Sequence, residues 1–446
     1  MTLNHHPDVA RRDPRRATPV LRLLTAASVV LWLVLAGMPT ASADPATFQK
    51  MQWWLSPLQM RQVWQVTEGA GVTVAVLDTG VDPHVGDLVG AVLPGYDVTG
   101  KGGNGQQDYG APLNPHGTDM ATVIAGRGTG PGFRGMAPKA KILPVQMARS
   151  TVGSEPQDIV AATNLVAGLP HPPAIINISS GAPGACPADQ QQAILRAISR
   201  GIIVVVSAGN DYNDGNASES PADCVGVVAV GAYDQNLAPW GDSQQQPYVA
   251  LAAPGVKVPS PVPLHGQQTF DTGTSDAAAA VSGMLALLRA RFPTMPARQL
   301  VARLFATTHH IGPGPAHNPD GSRNRNLVAG YGAALPYYAL TAKVAADAPN
   351  PIYDAVAALQ KVTPPAPSSS SSAGTRSNPA AGGTAPVGSN STAGVLIVAG
   401  IAGATVIVVL IIIGLAVRSR RRSAIHTVPF AGGYGPPGPP PPPGQR

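Results

Sequence analysis

Five short apolar runs, set between longer helical patterns, constrain this chain more than any other feature. They are Val72–Leu77, Lys141–Val145, Ala174–Ile178, Ile202–Val206 and Val225–Val230, and β-branched residues dominate them. A strand with almost no polar alternation is buried on both faces, which is the situation of strands in parallel sheets. Helical patterns fall between the runs, around Asp119–Ala125, Gln157–Ala167, Ala188–Arg200 and Asp276–Arg291. This alternation predicts an α/β fold, a mainly parallel sheet with helices on both faces. Reactive residues are then expected at the carboxyl ends of strands and at the helix starts beside them.

Charge separates the chain into a body and two flanks. Residues 1–43 carry five arginines against Asp8 and Asp13, and residues 362–446 carry six arginines and no acid. The stretch 44–361 holds 19 basic and 22 acidic residues, so the net charge of +6 belongs to the flanks. A body without a basic excess has no footprint for nucleic acid. With 44% hydrophobic residues the chain is also not a disordered polyelectrolyte.

Both flanks point to a membrane. Arg11, Arg12, Arg15, Arg16 and Arg22 precede the apolar run Leu23–Gly37, which closes on Ala41-Ser42-Ala43. That order predicts a secretory signal peptide over 1–43, cleaved after Ala43. Val395–Val417 is 23 residues without a charge, about 34 Å as a helix and long enough to span a bilayer core. Arg418, Arg420, Arg421 and Arg422 follow it, which places the tail in the cytoplasm and the body outside. The expected organisation is a signal peptide (1–43), an N-terminal extension packing on the body (44–71) and a catalytic body (72–345). A juxtadomain segment with a Pro/Ser/Gly-rich stalk (346–394), a transmembrane helix (395–417) and a basic, Pro-rich cytoplasmic tail (418–446) complete it. Cys186 and Cys224 are the two cysteines, and export favours a disulfide between them.

Four segments carry chemistry. The first strand runs into Asp78-Thr-Gly80, offering a carboxylate at a strand tip. Pro115-His116-Gly117-Thr118 opens a small-residue helix, so close packing can fix the imidazole. Gly273-Thr274-Ser275 opens the Ala-rich helix, and a serine at a helix N-terminus has a backbone N–H aimed at developing negative charge. Ser207-Ala-Gly-Asn210 follows a buried strand and offers a side-chain amide as a second donor.

These segments, in the order Asp, His, Ser, resemble the subtilisin-like serine proteases, the subtilases. The resemblance covers roughly Trp64 to Thr341 and includes Asn177-Ile-Ser-Ser-Gly181, similar to the family's substrate-lining strand, and Gly330-Tyr-Gly-Ala-Ala334, similar to its closing segment. It implies that Asp78 orients, that His116 is base then acid, that Ser275 is the nucleophile and that Asn210 holds the oxyanion. It also implies that Asn177, Ser179, Ser180 and Gly181 meet a polypeptide substrate. The chemistry needs no cofactor, and although many subtilases hold calcium, no carboxylate cluster in the sequence demands a metal. Within that family the chain is similar to the mycosins, membrane-anchored actinobacterial proteases associated with type VII secretion. Its signal peptide, Trp53-Trp54 lead-in, stalk, single span and basic stub carry that likeness. A type VII secretion membrane complex is the partner it implies.

The family pattern is broken in places. Asp119 stands where it often has histidine or a small residue, Asp276 where it commonly has an apolar one, Ala279 where it commonly has proline, and Met120 where mycosins usually have a cysteine. The acids leave a second expectation beside the first, a weakly active or inactive subtilase serving as a structural subunit of a secretion complex. Asp78-Thr-Gly80 and Asp271-Thr-Gly273 also mimic the paired signature of pepsin-like enzymes, but those are almost wholly β, whereas the second motif here opens a helix.

Overall fold

The computed structural model describes residues 45–110, 113–147, 156–262, 264 and 267–362. The expected signal peptide, most of the stalk, the transmembrane segment and the tail lie outside the described residues. Among the described residues no helix is long and apolar enough to cross a membrane.

In chain order the elements begin with α1 (Pro45–Met51), α2 (Met60–Val66), β1 (Thr73–Asp78), β2 (Tyr96–Asp97), α3 (His116–Ala125) and β3 (Lys141–Gln146). They continue with α4 (Pro156–Gly168), β4 (Ile175–Ile178), β5 (Ala182–Pro183), α5 (Ala188–Ser199), β6 (Ile203–Ser207), β7 (Glu219–Ser220) and β8 (Val228–Tyr233). The last are β9 (Val249–Pro254), β10 (Val256–Pro259), β11 (Phe270–Thr272), α6 (Thr274–Arg291), α7 (Ala297–Ala306), α8 (Pro336–Thr341) and α9 (Pro351–Val362). Seven strands form one sheet in the order β2-β3-β1-β4-β6-β8-β9, and every neighbouring pair is parallel.

The apolar runs behave as a doubly covered sheet requires. Successive side chains of a strand point to opposite faces, and here both faces are core. Val74 and Val76 of β1 join the cluster beneath α3 and α6, while Ala75 and Leu77 join the one beneath α4 and α5. The same division separates Ile203 and Val205 from Val204 and Val206 in β6. β8 begins three residues later than its apolar run suggests, because Gly226 adopts φ 102° and turns the chain first. β9 was not apparent in the sequence: Val-Ala-Leu-Ala-Ala-Pro has few β-branched residues and ends in proline, yet it is wholly buried.

Helix α6 runs almost entirely inside the protein, with Ala277 to Val281 and Met284 to Leu288 buried. Its small residues permit this. A Cβ on Gly283 would come within 2.5 Å of Met136 Cβ, so the helix can sit this close only without a side chain there. The N-terminal extension is part of the same core. Phe48, Trp54 and Leu58 are at most 2% exposed, and each such burial contributes roughly 1.5–3 kcal/mol. Trp53 Nε1 donates to Val256 O at 3.1 Å, Trp64 Nε1 donates to Met136 O at 2.9 Å, and the Arg134 guanidinium lies over the Trp64 ring.

A disulfide joins Cys186 to Cys224 across a separation of 38 residues. Closing a loop of that length restricts the unfolded chain by roughly 4 kcal/mol in the chain-entropy account. Reduction, or Cys224→Ser, is therefore expected to lower the urea midpoint of the oxidised protein markedly. Coincident unfolding curves with and without reductant would contradict the estimate.

Candidate active site

Three elements bring their ends together. Asp78 is the last residue of β1, His116 the first of α3, and Ser275 the second of α6. Asp78 is 2% exposed. Its Oδ1 accepts from the Thr79 N–H at 2.7 Å and lies 2.8 Å from His116 Nδ1. A carboxylate only accepts, so this contact places the ring proton on Nδ1 and leaves the Nε2 lone pair as the base of a neutral imidazole.

One residue that no motif announced, Asp108, joins the threonines of the two motifs to hold this pair in place. Asp108, in the Gly-rich loop after β2, accepts from the Thr79 hydroxyl at 2.8 Å, the Thr118 N–H at 2.9 Å and the Thr118 hydroxyl at 2.6 Å. Thr79 Oγ1 in turn accepts from the Gly117 N–H at 3.0 Å. One buried carboxyl thus ties the tip of β1 to the first turn of α3. Burial pushes that carboxyl up, against the pull of Thr118 and Thr79. A lone acid in a polar loop carries no local signal of such a role.

Asn210 lies three residues beyond β6. Its Oδ1 accepts from both the backbone N–H of Thr274 at 3.0 Å and the Thr274 hydroxyl at 2.9 Å. With its oxygen fixed, the amide presents only Nδ2, a donor, beside the first turn of α6. The Ser275 N–H belongs to the helix-terminal donors that have no intrahelical partner. The pair is an electropositive corner next to the Ser275 hydroxyl. Thr274 lies inside the Gly273-Thr274-Ser275 segment, whose pattern gives no sign of this role in fixing Asn210.

Ser275 Oγ donates to the Ser179 carbonyl at 3.1 Å, and no hydrogen bond joins it to the imidazole. Ser179 Oγ donates to Ser275 O at 3.1 Å and accepts from Asn177 Nδ2 at 3.0 Å, while Ser282 donates to Asn177 Oδ1 at 2.9 Å. Asn177 is fully buried and fastens β4 to α6, whereas Ser180 and Gly181 beyond it are half-buried.

A second set of carboxyls surrounds the ring. Asp119 and Asp276 are buried, and Asp271 stands on the short ribbon β10–β11. Asp271 does not meet Asp78, which disposes of the pepsin-like pairing; Asp78 meets His116 instead. Burial pushes all three carboxyls up, and the charge of Asp271 raises Asp119 and Asp276 further. Asp119 is partly compensated by the Ser260 hydroxyl, which donates to Oδ1 at 3.1 Å, whereas Asp276 Oδ1 has no partner. Burial disfavours the imidazolium, but the charge and hydrogen bond of Asp78, with the charges of Asp276 and Asp119, outweigh it and raise His116 to about 9. Below that pH only a shrinking fraction of the ring is the free base, so the acid limb of kcat/KM is expected near pH 9. Asp276→Asn removes one charge that favours the imidazolium. The limb should move to lower pH and activity at pH 7 should rise several-fold; an unmoved pH profile would contradict this.

Comparison with known proteins agrees with the geometry. The Subtilase family profile matches residues 69–332. Mycosin-1 of Mycobacterium tuberculosis is 33% identical over 344 residues, covering 63% of this chain and 73% of the relative. An extracellular protease of Xanthomonas campestris pv. campestris is 32% identical over 315 residues, covering 62% of this chain and 54% of the relative, so the chain spans about half of that protein. Among solved structures, MycP1 from the ESX-1 type VII secretion system superposes with a TM-score of 0.53 at 28% identity, covering 67% of this chain and 88% of MycP1.

Proposed function

The chain belongs to the subtilase family of serine endopeptidases, and from that premise we propose that it cleaves polypeptides with Asp78, His116 and Ser275 as its triad, tethered to the outer face of a cell membrane. The observation that carries the triad is the 2.8 Å contact of His116 Nδ1 with Asp78 Oδ1, beside a serine in the first turn of a buried helix. The attack requires the Ser275 hydroxyl to turn about its Cα–Cβ bond, away from the Ser179 carbonyl and toward His116 Nε2. The base accepts the hydroxyl proton as Oγ attacks the scissile carbonyl, and Asn210 Nδ2 and the Ser275 N–H receive the oxyanion. His116 then protonates the departing amine, and water resolves the acyl-enzyme by the same route. The substrate lies extended along residues 179–181, just beyond the end of β4, whose own residues 177 and 178 are already paired with β1 and β6.

Cleavage of an unfolded protein that is blocked by a serine-reactive fluorophosphonate and indifferent to pepstatin tests this reading. Cleavage blocked by pepstatin alone would overturn it. The structural-subunit reading is favoured by one observation, the buried, unpartnered Oδ1 of Asp276 in the residue after Ser275. It predicts no cleavage even at pH 9.

The tether rests on the sequence of residues 1–43 and 395–422, and association with type VII secretion rests on the likeness to MycP1. The full chain is expected to stay with carbonate-washed membranes, and a chain ending before Val395 to be released. Equal partitioning of the two would remove the tether.

A further inference from the structure

Glu219 takes no part in the mechanism above, yet its carboxylate lies against it. It opens β7, which pairs antiparallel with β5 in the register Pro183 with Glu219. Its side chain enters the space between two glycines. A Cβ on Gly181 would lie 2.5 Å from Glu219 Oε1, and one on Gly209 would collide with Oε2. The two glycines belong to the segments that flank the reacting carbonyl. Gly181 is two residues past Ser179, the acceptor of Ser275 Oγ, and Gly209 immediately precedes Asn210. Between them runs a slot walled by the backbone of the two glycines and, beside Gly209, by the Gln244 side chain, with the carboxylate inside it.

The slot is rich in acceptors and lacks a cation. Glu219 Oε2 and Gln244 Oε1 are buried without a hydrogen-bond partner, and among the described residues no ion pair is made to Glu219. The neighbouring charge is also acidic: burial first, then Asp211, pushes the Glu219 carboxyl up to about 7. The Tyr248 hydroxyl donates to Ala208 O at 3.1 Å rather than to Glu219. An unpaired buried carboxylate is costly, and a long cationic side chain entering between the glycines would relieve that cost. In acyl transfer the attacked carbonyl points its oxygen at the oxyanion donors. With Asn210 beside Gly209, the side chain of the residue bearing that carbonyl faces this slot.

We propose that Glu219 is the specificity residue of the site and selects lysine or arginine as the residue whose carbonyl is attacked. This rests on the endopeptidase reading for the position of the carbonyl. The test compares kcat/KM for peptides differing only at that residue: Lys, Arg, Leu, Phe, Ala and Glu. In the wild type, Lys and Arg are expected to exceed Leu by about 10²-fold, since each neutral residue leaves the carboxylate unpaired. Glu219→Gln should collapse the ratio of basic to apolar cleavage to within a few-fold. Benzamidine, a small planar cation, should raise the Tm of the wild type and not that of Glu219→Gln, a reading that needs no turnover. Cleavage with no basic preference, or benzamidine without effect on the wild type, overturns the assignment while leaving the protease standing. Failure to cleave any peptide, with benzamidine still bound in a Glu219-dependent way, removes the endopeptidase reading and keeps the cation slot.

Discussion

Ser275→Ala is expected to lower kcat by about 10⁶-fold, leaving only the residual rate that oxyanion donors and substrate binding provide. The size of the loss follows from the arrangement. The hydroxyl is the atom that bonds to the substrate carbon, and the alternative nucleophile, water, has no fixed place beside His116. The fold should be untouched. Ser275 is half-buried and its hydroxyl makes one hydrogen bond, to Ser179 O, a contact worth about 1 kcal/mol. Kinetics at pH 9 alongside a thermal melt separate these effects. A variant with an unchanged Tm and activity within tenfold of the wild type would remove Ser275 from the mechanism.

Asp78→Asn is expected to cost about 10⁴-fold in kcat with little change in KM. The replacement keeps the shape of the side chain and the position of the ring, but an amide can donate where a carboxylate cannot. An amide N–H facing His116 Nδ1 would turn that nitrogen into an acceptor and move the ring proton to Nε2. The ring could then take no proton from Ser275. Loss of the carboxylate also removes the charge that most favours the imidazolium, so the pKa of His116 falls even as the rate collapses. Loss of rate together with a downward shift of the ring titration, followed by proton NMR, identifies this cause. A rate near that of the wild type would mean that Asp78 does not set the tautomer.

The sequence showed the parts of the site that are carried by local pattern. β-branched runs revealed β1, β3, β4, β6 and β8, because a doubly buried strand has no polar face to hide. Asp78, His116 and Ser275 were legible because each sits where a strand ends or a helix begins. β9 was invisible, since an alanine-rich strand is indistinguishable from a helical segment until neighbouring strands bury it. Asp108 and Thr274 were invisible for a different reason. Their roles are long-range hydrogen bonds, accepted by Asp108 from Thr79 and Thr118 and donated by Thr274 to Asn210. Asp108 sits in an ordinary polar loop, and the Gly273-Thr274-Ser275 segment marks Thr274 only as the neighbour of the serine. Asn177 was read from the sequence as lining the substrate, while the structure shows its amide engaged by Ser179 and Ser282 beneath that edge. The approach of Asp271 to Asp119 and Asp276 likewise depends on how the β10–β11 ribbon folds beside α3.

The protein treated with a fluorophosphonate at pH 9, digested and mapped by mass spectrometry decides whether one serine is activated by one imidazole. The adduct is expected on the peptide containing Ser275, at full stoichiometry in the native protein, and absent when His116→Ala is treated in the same way. Equal labelling of Ser275 in the two proteins, or an adduct confined to another serine while the protein still cleaves peptides, would contradict the triad.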